Sequence, residues 1–191
     1  GCALNIAGGT HHAFAERGEG FCLLNDMAIA ANYLLHRNLA KKILVIDLDV
    51  HQGNGTAKLM EKESRVFTFS MHGKNNYPFH KEISDLDIAL PDGISGQGYL
   101  EILDKTLVIL LDTVQPDFIF YLSGVDILST DKFGKFNVSI DECKQRDELV
   151  LKKAYDNNIP VAIAMGGGYS PDINDILQAH CNTFRAAARL F

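Results

Sequence analysis

The feature that narrows the fold most is a rhythm: short apolar runs of strand length, each separated from the next by a longer segment of helical period. The runs are Ala3 to Ala7, Ile43 to Leu48, Val66 to Ser70, Phe118 to Leu122 and Val161 to Met165. Each is too short for a helix, and several are rich in β-favouring residues. Between and after them lie helix-patterned segments: Asn25 to His36, Gly55 to Lys62, Gly98 to Val114, Asp141 to Asn157 and Pro171 to Leu190. Asp141 reads as an N-cap, and Pro160 stands directly before the last run. Such alternation specifies an α/β fold, a three-layer open parallel sheet with helices on both faces. The stretch from His72 to Gln97 has no clear period and carries Asn75, Asn76, Pro78, Pro91, Gly93 and Gly96. It is expected to be a structureless, functional loop.

At 191 residues the chain is long enough for one domain with a real core, and it is read as a single domain over residues 1–191. Hydrophobic residues at 47% and charged residues at 22% exclude a disordered chain. A net charge of −6 with no Lys/Arg run removes the footprint of direct nucleic-acid binding. Cys2, Cys22, Cys143 and Cys181 show no CxxC spacing, which favours a reducing compartment, the cytoplasm or, in a eukaryote, the nucleus. No apolar run approaches the roughly 20 residues of a membrane span, so no span is expected. The first residue is Gly1 rather than Met, and the first apolar run has no element before it. The expectation is a fragment of a longer domain that lacks its N-terminal strands.

Ligands of open parallel sheets bind beyond the carboxyl ends of the strands, so the residues there carry the functional information. After the first run stand His11 and His12; after the second, Asp47, Asp49 and His51; after the third, Ser70 and His72; after the fourth, Asp126; after the fifth, Gly166, Gly167, Gly168 and Tyr169. In Asp47-Leu48-Asp49-Val50-His51, an extended backbone puts the two aspartates and the histidine on one side. An isolated pattern of this kind is as readily a helix-capping Asp followed by a surface His. Asp126 alone reads as a cap or loop residue. Together, Asp49, His51 and Asp126 form a set of two carboxylates and one imidazole that leaves coordination positions open, as a catalytic metal requires. The His11-His12 pair suits general acid-base work. Gly166 to Tyr169 lacks the spacing of a phosphate cradle, and its phenol is placed to donate to a developing oxyanion. Cys22 reads as an inert buried thiol and Phe21 as a core aromatic.

The segments Gly8 to Ala13 (GGTHHA), Gly20 to Asp26 (GFCLLND), Ile46 to Thr56 (IDLDVHQGNGT), Ser70 to His72 (SMH), Ser123 to Asp126 (SGVD) and Gly166 to Tyr169 (GGGY) resemble, in order, the motifs of the metal-dependent histone deacetylase superfamily. The wording HQGNGT and the stretch Tyr77 to Gly93 are most similar to class IV deacetylases and bacterial deacetylase-like amidohydrolases. The resemblance implies an arginase/deacetylase-like fold. It implies zinc, or Fe(II), held by Asp49, His51 and Asp126, with His11 paired to Asp47, His12 as principal base and acid, and Tyr169 as oxyanion donor. It further implies a structural K+ or Na+ around Asp47, Asp49, His51 and Ser70. An acyl-lysine channel would be walled by Gly20 and Phe21 on one side and by Phe79 or Tyr77 on the other. Asn54 stands where some classes carry an Asp partner for the second histidine, which would leave His12 less basic.

The implied activity is zinc-dependent removal of acetyl or other acyl groups from lysine side chains of proteins such as histones. The alternatives are hydrolysis of a small acylated amine such as an acetylpolyamine, removal of long acyl chains from lysine, and a catalytically silent binding module. A two-manganese ureohydrolase is disfavoured because only one complete ligand set is present.

Overall fold

A computed structural model describes residues 1–191, and all five apolar runs are strands in it. They are β1 (Cys2–Asn5), β2 (Ile43–Asp47), β3 (Val66–Gly73), β5 (Phe118–Gly124) and β6 (Val161–Gly166). A sixth strand, β4 (Leu86–Leu90), lies inside the stretch expected to be structureless. Its sequence does not announce it, because it is a short edge strand whose exposed positions alternate with partly buried ones, among prolines and charges. The helices are α1 (Asp26–His36), α2 (Asn54–Met60), α3 (Gly96–Val114), α4 (Ile140–Asp156) and α5 (Ile173–Leu190). The N-cap of α4 is Ser139 and not Asp141: Ser139 and Glu142 form a reciprocal capping box, which satisfies two otherwise orphaned N–H groups. No helix is long and apolar enough to cross a membrane.

All pairings are parallel, in the order β1-β6-β5-β2-β3-β4. Strand side chains alternate between faces, and the alternation divides the core in two. Leu44 and Ile46 of β2, Ile119 and Tyr121 of β5, and Val161 and Ile163 of β6 pack with α3, α4 and α5. Ile43 and Val45, Phe120 and Leu122, and Ala164 face the other way and pack with α1. Burial on both faces is why the runs of β2 and β5 read as continuous apolar stretches, whereas β1, at the sheet edge, is apolar in sequence but largely exposed. After β2 the chain builds β3 and β4 on one flank, then crosses to β5 and β6 on the other. The topological switch therefore falls between β2 and β5, where such sheets bind their ligands.

The switch point is held from behind by one ion pair. Arg146 of α4 is fully buried and donates to Gly124 O (2.6 Å) and to Leu48 O (3.3 Å), the carbonyls at the ends of β5 and β2. It also donates to Asp147 Oδ1 (2.9 Å), and Asp147 in turn accepts from Tyr121 on β5 (2.5 Å) and Thr183 on α5 (2.7 Å). Every member has partners, which is the condition under which buried charge is tolerated. We expect Arg146→Met to cost about 3–5 kcal/mol, because it strands the Asp147 carboxylate in the core. A urea denaturation midpoint unchanged from the parent would contradict this.

Candidate active site

Immediately beyond β2 the backbone leaves the strand geometry that the sequence suggested, yet the three polar side chains still converge. Asp47 Oδ1 accepts from Asp49 N (3.2 Å) and Asp49 Oδ1 from His51 N (2.8 Å), two successive Asx-type turns that replace the lost ladder bonds. Leu48 and Val50 sink into the core between them. Asp126, fully buried after β5, accepts from Val50 N (3.0 Å). His51 Nδ1 lies 3.0 Å from both Asp49 Oδ1 and Asp126 Oδ2, and the ligand atoms of Asp49, His51 and Asp126 all fall within 4.8 Å of one another. Three lone-pair donors thus face one point.

Their electrostatics match a cation site. Burial and the like charge of Asp49 raise the Asp126 carboxyl well above the carboxylate range. Burial opposes charge on His51 as well, but hydrogen bonds to Asp126 and Asp49 outweigh it and raise the imidazole to about 10. The donor set of one borderline nitrogen and two hard oxygens, with open positions toward the cavity, fits a catalytic divalent ion such as zinc or Fe(II).

The tandem histidines arrive from the loop after β1, with ring centroids 4.1 Å apart. That loop is tied down by the first residues of α1. Asp26 accepts from Gly9 N, Thr10 N and Thr10 Oγ1 at 2.9–3.0 Å, while Asn25 caps the helix and donates to His11 O and Ala13 O. His11 Nδ1 pairs with Asp47 Oδ2 at 2.6 Å. His12 Nδ1 pairs with Asn54 Oδ1 at 2.7 Å. The environments drive the two rings apart. Burial pushes His11 down, but Asp47 and Asp49 together outweigh it and hold the ring up at about 9. Burial and the neighbouring His11 charge push His12 down to about 3. At neutral pH one ring is a cation and the other a free base.

A cavity of about 870 Å³ opens above, lined by His11, His12, Asp49, His51 and Asp126 in its depth and by Phe21, Tyr77, Phe79, Phe133 and Tyr169 nearer its mouth. Phe21 is not a core aromatic. It is 94% exposed at the tip of a tight turn, Glu19 to Cys22, closed by Glu19 and Cys22 backbone bonds of 2.8 and 3.0 Å. Both central residues have positive φ, 54° at Gly20 and 65° at Phe21, the signature of a type I′ turn. A side chain at Gly20 would meet the His12 ring at 2.5 Å, so the glycine lets the turn lie on the base. Phe79 is 86% exposed on the opposite rim, whereas Tyr77 stands deeper, edge-on to His12 and His51. Both contribute to the wall. The Cys22 thiol is buried and raised by burial, in keeping with an inert group.

Tyr169 is half-exposed over the cavity, with its ring centroid 4.9 Å from Phe133 and 6.4 Å from Phe21. Its loop is set by Asp131, which accepts from Tyr169 N (2.7 Å), Phe133 N and Gly134 N. Gly167, at φ 62°, lies so close to Asp126 that a Cβ would come within 2.3 Å of its carboxyl carbon. Ser70 Oγ lies 2.9 Å from His72 Nδ1 in the polar layer below Asp47. Sequence reasoning had missed Glu19, Asp131 and the Arg146-Asp147 pair. The signal for the last was available, since two charges sit on the buried stripe of α4 among Cys143, Val150, Leu151 and Ala154.

An all-parallel sheet with this ligand cluster at its switch point, beneath two tandem histidines, defines the arginase/deacetylase class of α/β fold, a scaffold for hydrolase chemistry. Within that class, the histone deacetylase domain matches residues 1–184, and the chain belongs to this family. It is 47% identical over 191 residues to an uncharacterized protein of Picosynechococcus, covering 100% of this chain and 64% of that protein. It superposes with a TM-score of 0.84 on the crystal structure of a histone deacetylase homolog from Aquifex aeolicus, at 28% identity over 97% of this chain and 52% of that one. The acetylpolyamine aminohydrolase from Burkholderia pseudomallei is also similar, with a TM-score of 0.83 and 26% identity over 99% of this chain and 57% of that one. The chain thus spans less than two thirds of the length of each.

The mouth turn carries its own test. Phe21 holds a left-handed conformation at a cost of about 1–2 kcal/mol, with almost no burial in return. Phe21→Asn, which tolerates that conformation, should raise stability by about 1 kcal/mol. A lower thermal midpoint would show that the ring is held by packing instead.

Proposed function

We propose that this domain hydrolyses N-acyl-lysine amides with a divalent metal, most simply zinc, held by Asp49, His51 and Asp126. The observation that carries the reading is the juxtaposition of that ligand cluster with the tandem histidines at the foot of an aromatic-lined cavity. When bound, the ion supplies Lewis acidity for an acyl carbonyl and lowers the pKa of water toward neutrality. The chain's own residues do the rest. His12, already neutral, accepts the proton of the attacking water. His11, kept cationic by Asp47, fixes the second imidazole beside it and supplies positive charge in a site otherwise rich in carboxylates. The Tyr169 phenol donates a hydrogen bond to the carbonyl oxygen as negative charge develops there. A protonated histidine then returns a proton to the departing amine, leaving a free lysine and a carboxylate. Phe21 and Phe79 flank the aliphatic lysine stem at the rim.

A monovalent cation, K+ or Na+, is proposed around Asp47, Asp49, His51 and Ser70, as the family resemblance of these strand ends implies. Acyl-lysine proteins such as histones are the proposed substrates, and the cytoplasm, or the nucleus in a eukaryote, the proposed compartment. The acidic balance of the chain agrees with a cationic substrate surface.

The metal is tested by elemental analysis after dialysis against chelator and reloading. One divalent ion per chain is expected in the parent and little in Asp126→Ala; equal loading of both would remove the assignment. Tyr169→Phe keeps the ring and removes only the donor, so kcat on an acetyl-lysine peptide should fall about 10²–10³-fold with KM and metal content little changed. Full kcat in that variant would withdraw the oxyanion role. Comparing acetyl-lysine peptide, longer acyl-lysine peptides and acetylpolyamine resolves the substrate: preference for the polyamine would overturn the protein-lysine reading.

A further inference from the structure

The residue that closes the mouth turn on its inner side does more than shape it. Glu19 Oε1 accepts from Asn54 Nδ2 (2.8 Å) and from the Tyr77 hydroxyl (2.7 Å), while Oε2 accepts from Arg17 Nε (3.1 Å). The Tyr77 hydrogen bond, with those of Asn54 and Arg17, holds this carboxyl below its ordinary range, so it is ionised and can only accept. The Asn54 amide, 2% exposed, has two unlike ends. Only its NH2 can face an acceptor, so its oxygen must face His12. That oxygen then requires a proton on His12 Nδ1, which leaves the Nε2 lone pair bare. Were the amide reversed, its NH2 would face Nδ1, the ring proton would move to Nε2, and the ring would have no lone pair to offer the water.

We infer that Glu19 is a positioning residue for the base: by fixing the orientation of the Asn54 amide, it fixes the tautomer of His12. The inference deepens the hydrolase reading of this site and rests on it for its consequence, though not for its geometry. An aspartate partner would need no such device, because both of its oxygens accept. An asparagine needs a third group to tell its ends apart, and Glu19 is that group. Since Glu19 also begins the turn that carries Phe21, one side chain joins the channel rim to the base.

The test uses the isosteric Glu19→Gln, whose amide can donate as well as accept and so no longer dictates Asn54. In the metal-free protein with ¹⁵N-labelled histidine, His12 is expected as a single Nδ1–H tautomer in the parent and as a mixture in Glu19→Gln. With metal, kcat on an acyl-lysine peptide should fall about 10–100-fold with KM little changed, the range for outer partners of a catalytic site. In an Asn54→Asp background the same Glu19→Gln change should leave kcat unchanged or raise it, since a carboxylate there needs no orienting and repels Glu19. An unchanged His12 tautomer in Glu19→Gln, or the same loss of kcat in both backgrounds, would overturn the inference. The tautomer comparison needs no turnover, so failure of the acyl-lysine reading leaves it decisive.

Discussion

At the carboxyl ends of β2 and β5 the chain leaves the sheet to form the site, and the last carbonyls of the two strands must find donors inside the protein. Arg146 supplies them from a single guanidinium nitrogen, Nη1, which reaches Leu48 O and Gly124 O together while Nε binds Asp147. Asp147 balances its charge and passes the connection to Tyr121 and Thr183. A pair of buried charges contributes little net stability by itself. What the guanidinium provides is direction. The backbone that carries Asp49 and His51 and the backbone that carries Asp126 are held to one reference point, so that their side chains converge within a few ångströms.

On this base the chain concentrates negative charge out of water. Asp47, Asp49 and Asp126 are all nearly or fully buried, an arrangement that costs several kcal/mol per ion unless cations answer it. His11 pairs with Asp47, and the His51 ring lies 3.0 Å from both of the other two. The same site separates the tandem histidines, since the ring beside the carboxylates is pushed toward the cation while burial, and then the charge of that ring, push its neighbour toward the neutral form. Two groups of identical chemistry are thereby shifted in opposite directions by their surroundings.

The mouth shows the complementary economy. Strain at Phe21, exposure of Phe79 and a half-exposed Tyr169 would each be a defect in a purely structural loop. Each is supported from below: the Glu19 to Cys22 turn by its own backbone bonds and by Asn54, and the Tyr169 loop by Asp131. The cavity mouth is thus built from exposed aromatics on anchored backbone.

Much of this was legible from the residues alone. The apolar runs announced the parallel sheet, because a strand covered on both faces must be apolar at every position, and the polar residues just after the runs announced the site, because parallel sheets present their carboxyl ends together. Edge strand β4 was not legible, since a strand covered less completely carries charges and turn residues like those of a loop. Nor was the exposure of Phe21 legible from the residue itself, although the family resemblance implied a place on a channel wall: an aromatic defaults to the core, and only the turn that folds back on His12 puts it outside. The types of group at the site, carboxylate, imidazole and phenol, follow from the sequence, since chemistry resides in side chains. Their states do not. Whether a histidine is cation or base, and which of its nitrogens is bare, depends on what burial and distance place beside it, and those are properties of the folded chain.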